Sequence, residues 1–449
     1  MGNHARKILV LSRAVVGQRM SGPGIRSYQI ARVLAEQLPE AEVTLGVPAA
    51  SDLPTEALPF RIETYTSRSL GRLARSSDVM IAFTFPLGLI PSTTRTHVVL
   101  DLYGVFLPEW LEVANTALKE PHRQAWMAAQ RHKLSVLLTW ADFVLYANER
   151  QRHLYLGMLA TLGRITPEAY ANDRELSGLL GYAPFGVRPG EPTPTRRALK
   201  GVWPGIRPTD KVLIWNGAVV EWYDLTTLIR AVHRLSRERD DIKLFFMGTE
   251  LPSAQQRAEK LQGQGAGVVR EALRLCEELG LLDKYVFFNF DWVSYEETVN
   301  YLMDADAGVC TYHRGLETEF SFRTRLLDLF WTARPIVCTQ GDVLADLVDR
   351  RTLGVAVPPA DEDALVRAIK RVIDDESFVA ECKRNLREVR EEFRWERTLH
   401  PLVEFCRNPV LLGPSKKSRL FPLGLRLGNF AWARAWQLLT TRTRGPRYL

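Results

Sequence analysis

The chain has 449 residues, 46% of them hydrophobic and 25% charged, which is typical of a two-domain globular protein with ample core. Its five cysteines and eight histidines show no CxxC, HExxH or paired-ligand spacing, so we expect neither a disulfide scaffold nor a metal site built by the protein. The net charge of +7 arises in residues 415–449, which hold eight basic residues and no acidic one. The remaining body is nearly neutral, which argues against a nucleic-acid-binding protein.

The sequence predicts a cytoplasmic protein. Residues 1–10 lack the long apolar region of a signal peptide, and no apolar run reaches the roughly 18 residues that span a membrane. Cys310 and Cys338 lie in apolar runs and are interpreted as core residues of a reducing compartment.

The first half alternates strands with helices. Residues 7–12 are apolar without alternation, which is typical of a buried parallel strand. A loop with Ser21-Gly-Pro-Gly24 follows, and then a helix with one apolar face through Ile30, Leu34 and Leu38. Further strands are predicted at residues 41–47, 79–83, 97–103 and 142–147, with a helix at 126–140.

The second half repeats this alternation. A proline-rich stretch at residues 186–208 predicts a linker between the halves. The pattern predicts two doubly wound, Rossmann-like α/β domains, residues 1–190 and 205–390, facing each other across a cleft. A final helix is expected at 377–406. The region 391–414 is expected to cross back over the junction, and a basic aromatic tail follows at 415–449. Strands are predicted at 211–217, 243–248, 285–289, 307–311, 335–339 and 354–357, with helices at 225–237 and 268–279.

The segment 316–339 carries the strongest chemical signal. Ser321 is predicted to cap a helix that starts at Phe322, with Arg323 and Arg325 in its first turn. Two positive charges at the N-terminus of a helix are repelled by the positive pole of the helix dipole. We therefore expect a bound anion to offset that repulsion. Asp328 follows, placed to accept hydrogen bonds from sugar hydroxyls, and together these features indicate a nucleotide-sugar site. An ordinary i,i+3 surface ion pair between Arg325 and Asp328 is the alternative.

Eight short strings spread over both halves of the chain are informative when they are taken together. They are Trp215-Asn-Gly217, Glu221 to Ala231, Phe287-Phe-Asn289, Asp291-Trp-Val293, Ser321 to Arg325, Ser21 to Arg26, Asp101-Leu-Tyr103 and Glu149 to Arg152. Together they resemble a bacterial surface-polysaccharide branch of the retaining family 4 glycosyltransferases, which have the GT-B fold, and the resemblance covers roughly residues 7–405. It implies retaining transfer of a sugar from a UDP- or GDP-sugar donor to a glycan or lipid-linked acceptor, without a metal or other cofactor.

The resemblance also implies donor-binding residues. Gly22 and Gly24 match a glycine loop near the donor phosphates, for which a plain tight turn is the alternative. Asp328 matches the second acidic residue of a Glu-x7-Glu signature and would hold the ribose. The remaining matched positions are Gly217, Met247, Gly248 and Val293 at loops after strands, and Ser321, Phe322, Thr324 and Arg325 near the diphosphate.

Two departures affect the implied acidic and cationic residues. Phe320 occupies the position of the first signature glutamate, so Glu319 or Glu317 must substitute, and Glu319 is the candidate. The basic residues usual after the first strand of the second domain are missing. A departing diphosphate needs cationic stabilisation, which we assign to Arg323, with Arg325 as a second candidate.

The third departure is the missing histidine at the end of the first-domain strand. Asp101 stands there instead and is the candidate for orienting a sugar hydroxyl or the acceptor. The alternative is an aspartate that only closes the strand and caps the next turn. These departures keep two other functions open, a non-catalytic GT-B scaffold or glycan-binding module and a nucleotide-sugar epimerase.

The tail from Leu420 to Leu439 is apolar and aromatic with spaced arginines. Trp432 and Trp436 are i,i+4 neighbours, joined by Leu439, while Arg434 faces away. The pattern is typical of an interfacial helix, which predicts a peripheral contact with the inner membrane face. Docking on the protein's own surface or on a partner is the alternative. A chain ending near Asn408 is expected to stay folded and to bind the donor.

Overall fold

The computed structural model describes residues 6–54, 58–104, 106–248 and 265–440. These residues form two compact units. The N-terminal unit contains residues 6–17, Gly22–Pro184 and residues 398–440, and the C-terminal unit contains Gln18–Ser21 and Phe185–Arg397.

The N-terminal unit is built on a seven-stranded parallel sheet of order β3-β2-β1-β4-β5-β6-β7. Apart from the edge strand β3, its strands are largely buried, because helices from the crossover connections cover both faces. The strand order reverses between β1 and β4, and such a switch point leaves a ligand-binding crevice at the carboxyl ends of the strands. The strands are β1 Lys7–Leu11, β2 Glu42–Val47, β3 Arg61–Thr64, β4 Val79–Ala82, β5 His97–Asp101, β6 Phe143–Tyr146 and β7 Leu180–Tyr182.

Six α-helices and one 3-10 helix, Leu87–Thr93, connect these strands in the described part of the unit. Trp140 and Tyr155 are fully buried and pack in the core with residues of β1, β4 and β5. The helices are α1 Gly22–Gln37, α2 Ser67–Arg75, α3 Phe106–Ala117, α4 His122–Trp140, α5 Glu149–Thr161 and α6 Pro167–Asn172.

The C-terminal unit has a six-stranded parallel sheet of order β10-β9-β8-β11-β12-β13. The switch point lies between β8 and β11, where Leu213 and Ile214 pair with Ala307 and Gly308. The strands are β8 Lys211–Asn216, β9 Ile242–Met247, β10 Val286–Asn289, β11 Ala307–Cys310, β12 Ile336–Thr339 and β13 Gly354–Val357.

Helices on both faces complete this unit. They are α7 Leu225–Ser236, α8 Ala266–Glu278, α9 Thr298–Asp304, α10 Leu316–Phe320, α11 Arg325–Trp331, α12 Val343–Arg350, α13 Glu362–Asp374, α14 Glu376–Glu392 and α15 Trp395–Thr398. The chain then continues with α16 His400–Arg407 and α17 Lys416–Thr440, which belong to the N-terminal unit.

The predicted fold class, two doubly wound parallel α/β sheets, is confirmed. All five cysteines are buried and free, as core residues. The single helix predicted at 377–406 is wrong, because the chain breaks it into α14, α15 and α16. Phe393 ends the first of these, and its ring packs against Phe330 at 5.6 Å. Pro401 lies in the first turn of α16, where its missing N–H is tolerated.

The terminal helix α17 is anchored in the core of the N-terminal unit. Arg419 is buried and its Nη1 lies 2.9 Å from Oδ1 of Asp142, whose side chain is fully buried. Nζ of Lys416 lies 3.1 Å from Oδ2 of the same carboxylate. Arg419 also donates to the carbonyls of Trp140 and Ala141, at the negative pole of α4.

The outer face of α17 is exposed and apolar. Trp432 is 63% exposed and Leu439 is 80% exposed. Trp436 shares a face with Trp432 as predicted, with ring centroids 5.4 Å apart, but it is half-buried and packs on the cluster that Ala433 forms with α4. The helix therefore docks on the protein's own surface through one face and leaves the other uncovered in the described structure. Residues 441–449 of the predicted tail, with three of its arginines, lie outside the described residues.

The first turn of α17 is therefore part of the fold of the N-terminal unit. A chain that ends at Asn408 loses both cations of Asp142 and leaves a buried carboxylate without them. Removing one partner of a buried ion pair costs about 3–5 kcal/mol. We now expect such a truncated chain to be destabilised, contrary to the expectation from sequence.

We predict that Arg419→Ala lowers the free energy of unfolding by about 3–5 kcal/mol, because Asp142 stays buried with only Lys416 beside it. Urea unfolding followed by tryptophan fluorescence measures this change. Lys417→Ala is the matched control, since this exposed lysine precedes Arg419 by two residues on the same helix. Its effect should stay within about 0.5 kcal/mol. Equal unfolding free energies for the two variants would show that Arg419 does not anchor the helix.

Candidate functional site

Polar contacts at the switch point of the C-terminal unit tie β8 to α11. Asn216, the last residue of β8, donates through Nδ2 to the carbonyl of Arg325 at 2.9 Å and to Oδ2 of Asp328 at 3.2 Å. Gly217 follows with φ of +100°, a conformation that residues with a Cβ rarely adopt. The strand end, the left-handed turn and the first helical turn therefore form one local unit.

Arg325 is fixed in that unit by contacts on several sides. Its Nη2 donates to the carbonyl of Ala218 at 2.7 Å and to the hydroxyl of Tyr223 at 2.8 Å. The guanidinium also lies 4.3 Å from the Tyr223 ring and 4.9 Å from the Trp215 ring. Its Nη1 is buried and has no hydrogen-bond acceptor among the described residues. The result is a preorganised cation with an unused donor, which suits an anionic ligand.

Asp328 presents a partly exposed carboxylate beside this cation. Its side chain is 34% exposed, and Nε of Arg188 lies 3.9 Å from Oδ1. Burial raises the pKa of Asp328, while Arg188, Asn216 and Arg325 partly oppose that rise. Arg325 donates elsewhere, so the simple Arg325–Asp328 ion pair considered from sequence is not the arrangement seen.

Arg188 is a neighbour of Asp328 to which sequence reasoning gave no role. Its guanidinium lies 3.6 Å from the Tyr295 ring and 5.1 Å from the Trp331 ring. It also donates to the hydroxyl of Thr298 at 2.5 Å. Nothing local in the sequence signals this placement, because Arg188 lies in the proline-rich stretch predicted to be a linker.

Arg323 has an internal partner. Its guanidinium donates to Glu317 at 2.6 and 2.9 Å, and both side chains are almost completely buried. The guanidinium also lies 4.3 Å from the Tyr312 ring. Arg323 therefore has an acidic partner within the fold, so it does not need an external anion, and the binding of an anion by Arg325 stays a prediction.

The predicted start of the key helix is also wrong. The helix α11 begins at Arg325, not at Phe322, and Thr324 at its N-cap makes no side-chain capping bond. The hydroxyl of Ser321 donates to Glu317 at 2.6 Å instead of capping the helix. Residues 321–324 thus form a short connection between α10 and α11, held in place by the buried Glu317–Arg323 pair.

The two glutamates left open by the sequence occupy different environments. Glu317 is 2% exposed and holds Arg323 and Ser321. Glu319, the candidate acid, is exposed on the same short helix. Its catalytic role stays a prediction.

The structure brings together the predicted residues of the neighbouring loops. The N–H of Gly217 donates to the carbonyl of Met247, at the end of β9, at 3.2 Å. Gly248 has φ of +71°, and a Cβ there would lie 4.0 Å from the backbone nitrogen of Val293. Gly217, Met247, Gly248 and Val293 therefore line the same edge of the sheet as Asn216. Residues 249–264, which follow Gly248, lie outside the described residues.

The three remaining predicted residues belong to the N-terminal unit. Gly22 and Gly24 lie in the first turn of α1, so the predicted glycine loop is a helix start. Asp101 ends β5 and accepts from Nη2 and Nε of Arg26 at 2.6 and 2.7 Å. Arg26 is 1% exposed and also donates to the carbonyl of Ala183 at 2.8 Å. Asp101 therefore neutralises a buried cation, and its proposed contact with a substrate stays a prediction.

Two Asp-x-Asp sequences bear on the question of a metal. Asp304 accepts from three consecutive backbone N–H groups, those of residues 198–200, at 2.8 to 3.1 Å. Asp306 pairs with Lys200 at 2.7 Å, and Asp361 caps α13. These carboxylates hold the fold together. Across the residues that the structure describes, no three His, Cys, Asp or Glu side chains are grouped to hold a metal ion.

Comparison with known families and structures bears on the second half of the chain and on the fold. Residues 203–389 match the family model described as Glycosyl transferases group 1. No curated protein sequence matches the chain.

Solved structures cover both units. HepE from Anabaena in complex with UDP-glucose superposes with a TM-score of 0.57 at 14% identity, covering 90% of this chain and 100% of that one. Sucrose-phosphate synthase from Thermosynechococcus elongatus gives 0.59 at 16% identity, covering 90% and 98%. WaaG, a glycosyltransferase involved in lipopolysaccharide biosynthesis, gives 0.57 at 14% identity, covering 90% and 99%. The chain therefore has the GT-B fold, with a glycosyl transferases group 1 match over residues 203–389.

Proposed function

We propose that the protein is a glycosyltransferase that transfers a sugar, with retention of configuration, from a UDP- or GDP-sugar to a glycan or glycoconjugate acceptor. The observation that carries this proposal is the fixed Arg325, with an orphaned buried Nη1, beside a partly exposed Asp328. Both lie at the switch point of the sheet, within the segment that matches glycosyl transferases group 1. Such a switch point is where open α/β sheets bind nucleotides.

In this proposal, each of the described groups binds a different part of the nucleotide-sugar donor. Arg325 binds the diphosphate, and the glycine turn at Gly217 lets the backbone approach it. Asp328 accepts hydrogen bonds from the ribose hydroxyls. Met247, Gly248 and Val293 lie toward the base, while Ser321, Phe322 and Thr324 shape the diphosphate side of the site.

The proposed reaction needs little more than positioning and a cation. The bond from the sugar's anomeric carbon to the diphosphate breaks, and the acceptor hydroxyl forms its new bond on the same face. The hydroxyl proton passes to an oxygen of the leaving diphosphate, so no strong protein base is required. Negative charge grows on the diphosphate as the bond breaks, and Arg325 is preorganised to stabilise it.

In this proposal, two of the three residues that the sequence suggested as catalytic act by positioning neighbouring segments. Arg323 positions the connection 321–324 through Glu317, and Asp101 positions α1 through Arg26. Glu319 remains the proposed acidic group nearest to the transferred sugar.

A non-catalytic GT-B module is the second candidate. One observation favours it: Arg323 and Asp101 both form ion pairs with buried side chains of the protein. The orphaned donor of Arg325 favours the enzyme.

The exposed apolar face of α17 supports a contact with a membrane surface, which we propose as peripheral and on the inner face. Leu425, Trp432 and Leu438 are each more than half exposed on that face. Among the described residues, no helix combines the length and apolarity needed to cross a bilayer.

We predict that Arg325→Gln lowers kcat on the order of 10²-fold while the donor Kd changes much less, because the diphosphate gains charge in the transition state. Turnover with the nucleotide sugar that best stabilises the protein against heat measures this. Arg314→Gln is the matched control, since Arg314 is exposed and precedes α10. An unchanged kcat in Arg325→Gln would exclude Arg325 as the catalytic cation.

We predict that donor affinity falls as the pH is lowered. The fall should begin at a higher pH than the ordinary aspartate pKa of about 3.9 would give. Burial raises the pKa of Asp328, so its ionised form, the acceptor of the ribose hydroxyls, is lost earlier as the pH falls. Calorimetry with a nucleotide sugar, whose diphosphate diester does not titrate there, follows the effect. Asp328→Asn should bind more weakly at neutral pH and with a flatter profile. The same pH profile in both proteins would remove Asp328 from the donor site.

We predict that enzymatic activity persists when a chelator removes divalent metal ions, because Arg325 supplies the positive charge that such an ion supplies in metal-dependent enzymes. Turnover is measured with and without EDTA. Activity lost in EDTA and restored by Mg²⁺ or Mn²⁺ would contradict this mechanism directly.

A further inference from the structure

Arg188 is a nearly buried cation that ties three segments of the C-terminal unit together. It lies between β7 and β8 in the chain, and its side chain is only 10% exposed. Its guanidinium donates to the carbonyl of Tyr295 and, at 2.5 Å, to the hydroxyl of Thr298, the first residue of α9. The backbone beside Arg188 is fastened to the end of α11, because Nε1 of Trp331 donates to the carbonyl of Gly190 at 2.8 Å. The position of the guanidinium is therefore fixed by the fold.

The third guanidinium nitrogen of Arg188 is directed at the proposed donor site. This nitrogen, Nε, is buried and has no hydrogen-bond acceptor among the described residues. It lies 3.9 Å from Oδ1 of Asp328, which is the distance of an ion pair and longer than a hydrogen bond. A ligand cannot reach a nitrogen with almost no exposed surface, whereas the side chain of Asp328 is 34% exposed. Nε of Arg188 can therefore act on a donor only through Asp328.

The positive charge of Arg188 favours the ionised form of Asp328. Burial raises the pKa of Asp328, and Arg188, Asn216 and Arg325 oppose that rise, Arg188 most strongly. Asn216 belongs to β8 and is neutral, and Arg325 lies on the same helix as Asp328 and donates to other groups. Arg188 is thus a cation that a different segment of the chain places against this carboxylate.

We propose that Arg188 is a positioning residue of the donor site, which holds the Asp328 carboxylate in place and keeps it negatively charged to accept hydrogen bonds from the ribose hydroxyls. An ionised carboxylate can accept from two adjacent hydroxyls, whereas the protonated group also carries a donor. The inference rests on the proposed function, because that proposal supplies the ribose as the ligand of Asp328. It adds a residue that determines the selection of ribose by the donor site.

The first test measures donor binding by calorimetry on the full chain. Arg188→Met preserves most of the length of the side chain and removes its charge. It should raise the Kd of UDP-glucose, or of GDP-mannose if that binds the wild type more tightly, about tenfold, the scale of one coupled contact. Turnover at saturating donor should change less than twofold, because ribose contacts barely change during the reaction. The preference of the wild type for this donor over its 2′-deoxyribose analogue should shrink in the variant.

Arg196→Met is the matched control. Arg196 lies in the same stretch of chain and pairs at 2.5 Å with Glu297, the residue before α9, and not with Asp328. The control therefore removes a cation that contacts the α9 region without touching the carboxylate of the donor site. It should change the donor Kd less than twofold.

A double-mutant cycle tests whether Arg188 acts through Asp328. In a protein that already carries Asp328→Asn, the further change Arg188→Met should alter the donor Kd less than twofold, because the charge on which Arg188 acts is gone. An equal loss of affinity in the wild-type and Asp328→Asn backgrounds would overturn the proposal, since Arg188 would then affect the donor by another route.

Carbon-13 NMR titration of the aspartate carboxyl groups tests the charge without any donor, with Asp328→Asn identifying the Asp328 signal. Arg188 favours the charged form, so Arg188→Met should raise the pKa of Asp328 and move the acidic loss of donor binding to higher pH. Arg188→Gln, a second neutral variant, should do the same, and Arg196→Met should not. Arg188→Lys retains the charge and should keep the pKa near that of the wild type. An unchanged pKa in both neutral variants would overturn the proposal.

The lysine variant separates positioning from a structural role. Arg188→Lys and Arg188→Met both lose the planar pair of bonds to the Tyr295 carbonyl and the Thr298 hydroxyl, so both should melt at a lower temperature than the wild type. Only the neutral variant should also lose about tenfold in donor affinity. Equal losses of affinity in the two variants would show that Arg188 only supports the fold.

The outcomes also separate this inference from the proposed function. Donor binding that depends on Asp328 but is unchanged in Arg188→Met would reject this inference and leave the proposed function standing. A wild type that binds neither nucleotide sugar would reject the proposed function and, with it, the role in ribose selection. In that case the carboxyl titration would still decide whether Arg188 controls the charge of Asp328.

Discussion

Asn216 links the carboxyl end of β8 to both the first carbonyl and the acidic side chain of α11, and the geometry of the proposed donor site depends on that link. It fixes the start of α11 against the left-handed turn at Gly217. Arg325 is thereby placed over Trp215 and Tyr223, with one donor left unused. An orphaned, buried, charged donor is costly unless a ligand completes it. The unfilled hydrogen bond of Arg325, at the switch point of the sheet, is therefore the observation on which the proposed donor site rests.

Buried ion pairs give internal partners to some residues that the sequence suggested as catalytic. Asp101 pairs with Arg26, Arg323 with Glu317, and Asp142 with Arg419, each with side chains at most 7% exposed. A charge taken out of water needs its partner and further hydrogen bonds, which these residues find in backbone carbonyls and hydroxyls. Asp142 and Arg419 are 277 residues apart, so no local pattern could pair them. Because of the same separation along the chain, α17 could not be assigned to the N-terminal unit from the sequence.

The central strands were predictable, because strands buried on both faces contain continuous apolar runs such as residues 8–11 and 244–247. The two strands that the sequence analysis missed lie at the edge of the N-terminal sheet. β3 is polar and partly exposed, and β7 has three residues, so neither produces an apolar run. At the candidate site, the motif at 321–325 predicted a helix that starts too early and left the partner of Arg323 unrecognised, because the contacts of Glu317 with Ser321 and Arg323 are tertiary.

The central claim is that Arg325 binds the second phosphate of a nucleotide diphosphate, and a ligand–protein double-mutant cycle tests it most directly. Calorimetry would give the affinities of the nucleoside diphosphate and of the corresponding monophosphate for the wild type and for Arg325→Gln. The account predicts that the wild type prefers the diphosphate by about tenfold or more, the value of one charge-assisted contact, and that the preference largely disappears in the variant. An equal preference in both proteins would contradict the account.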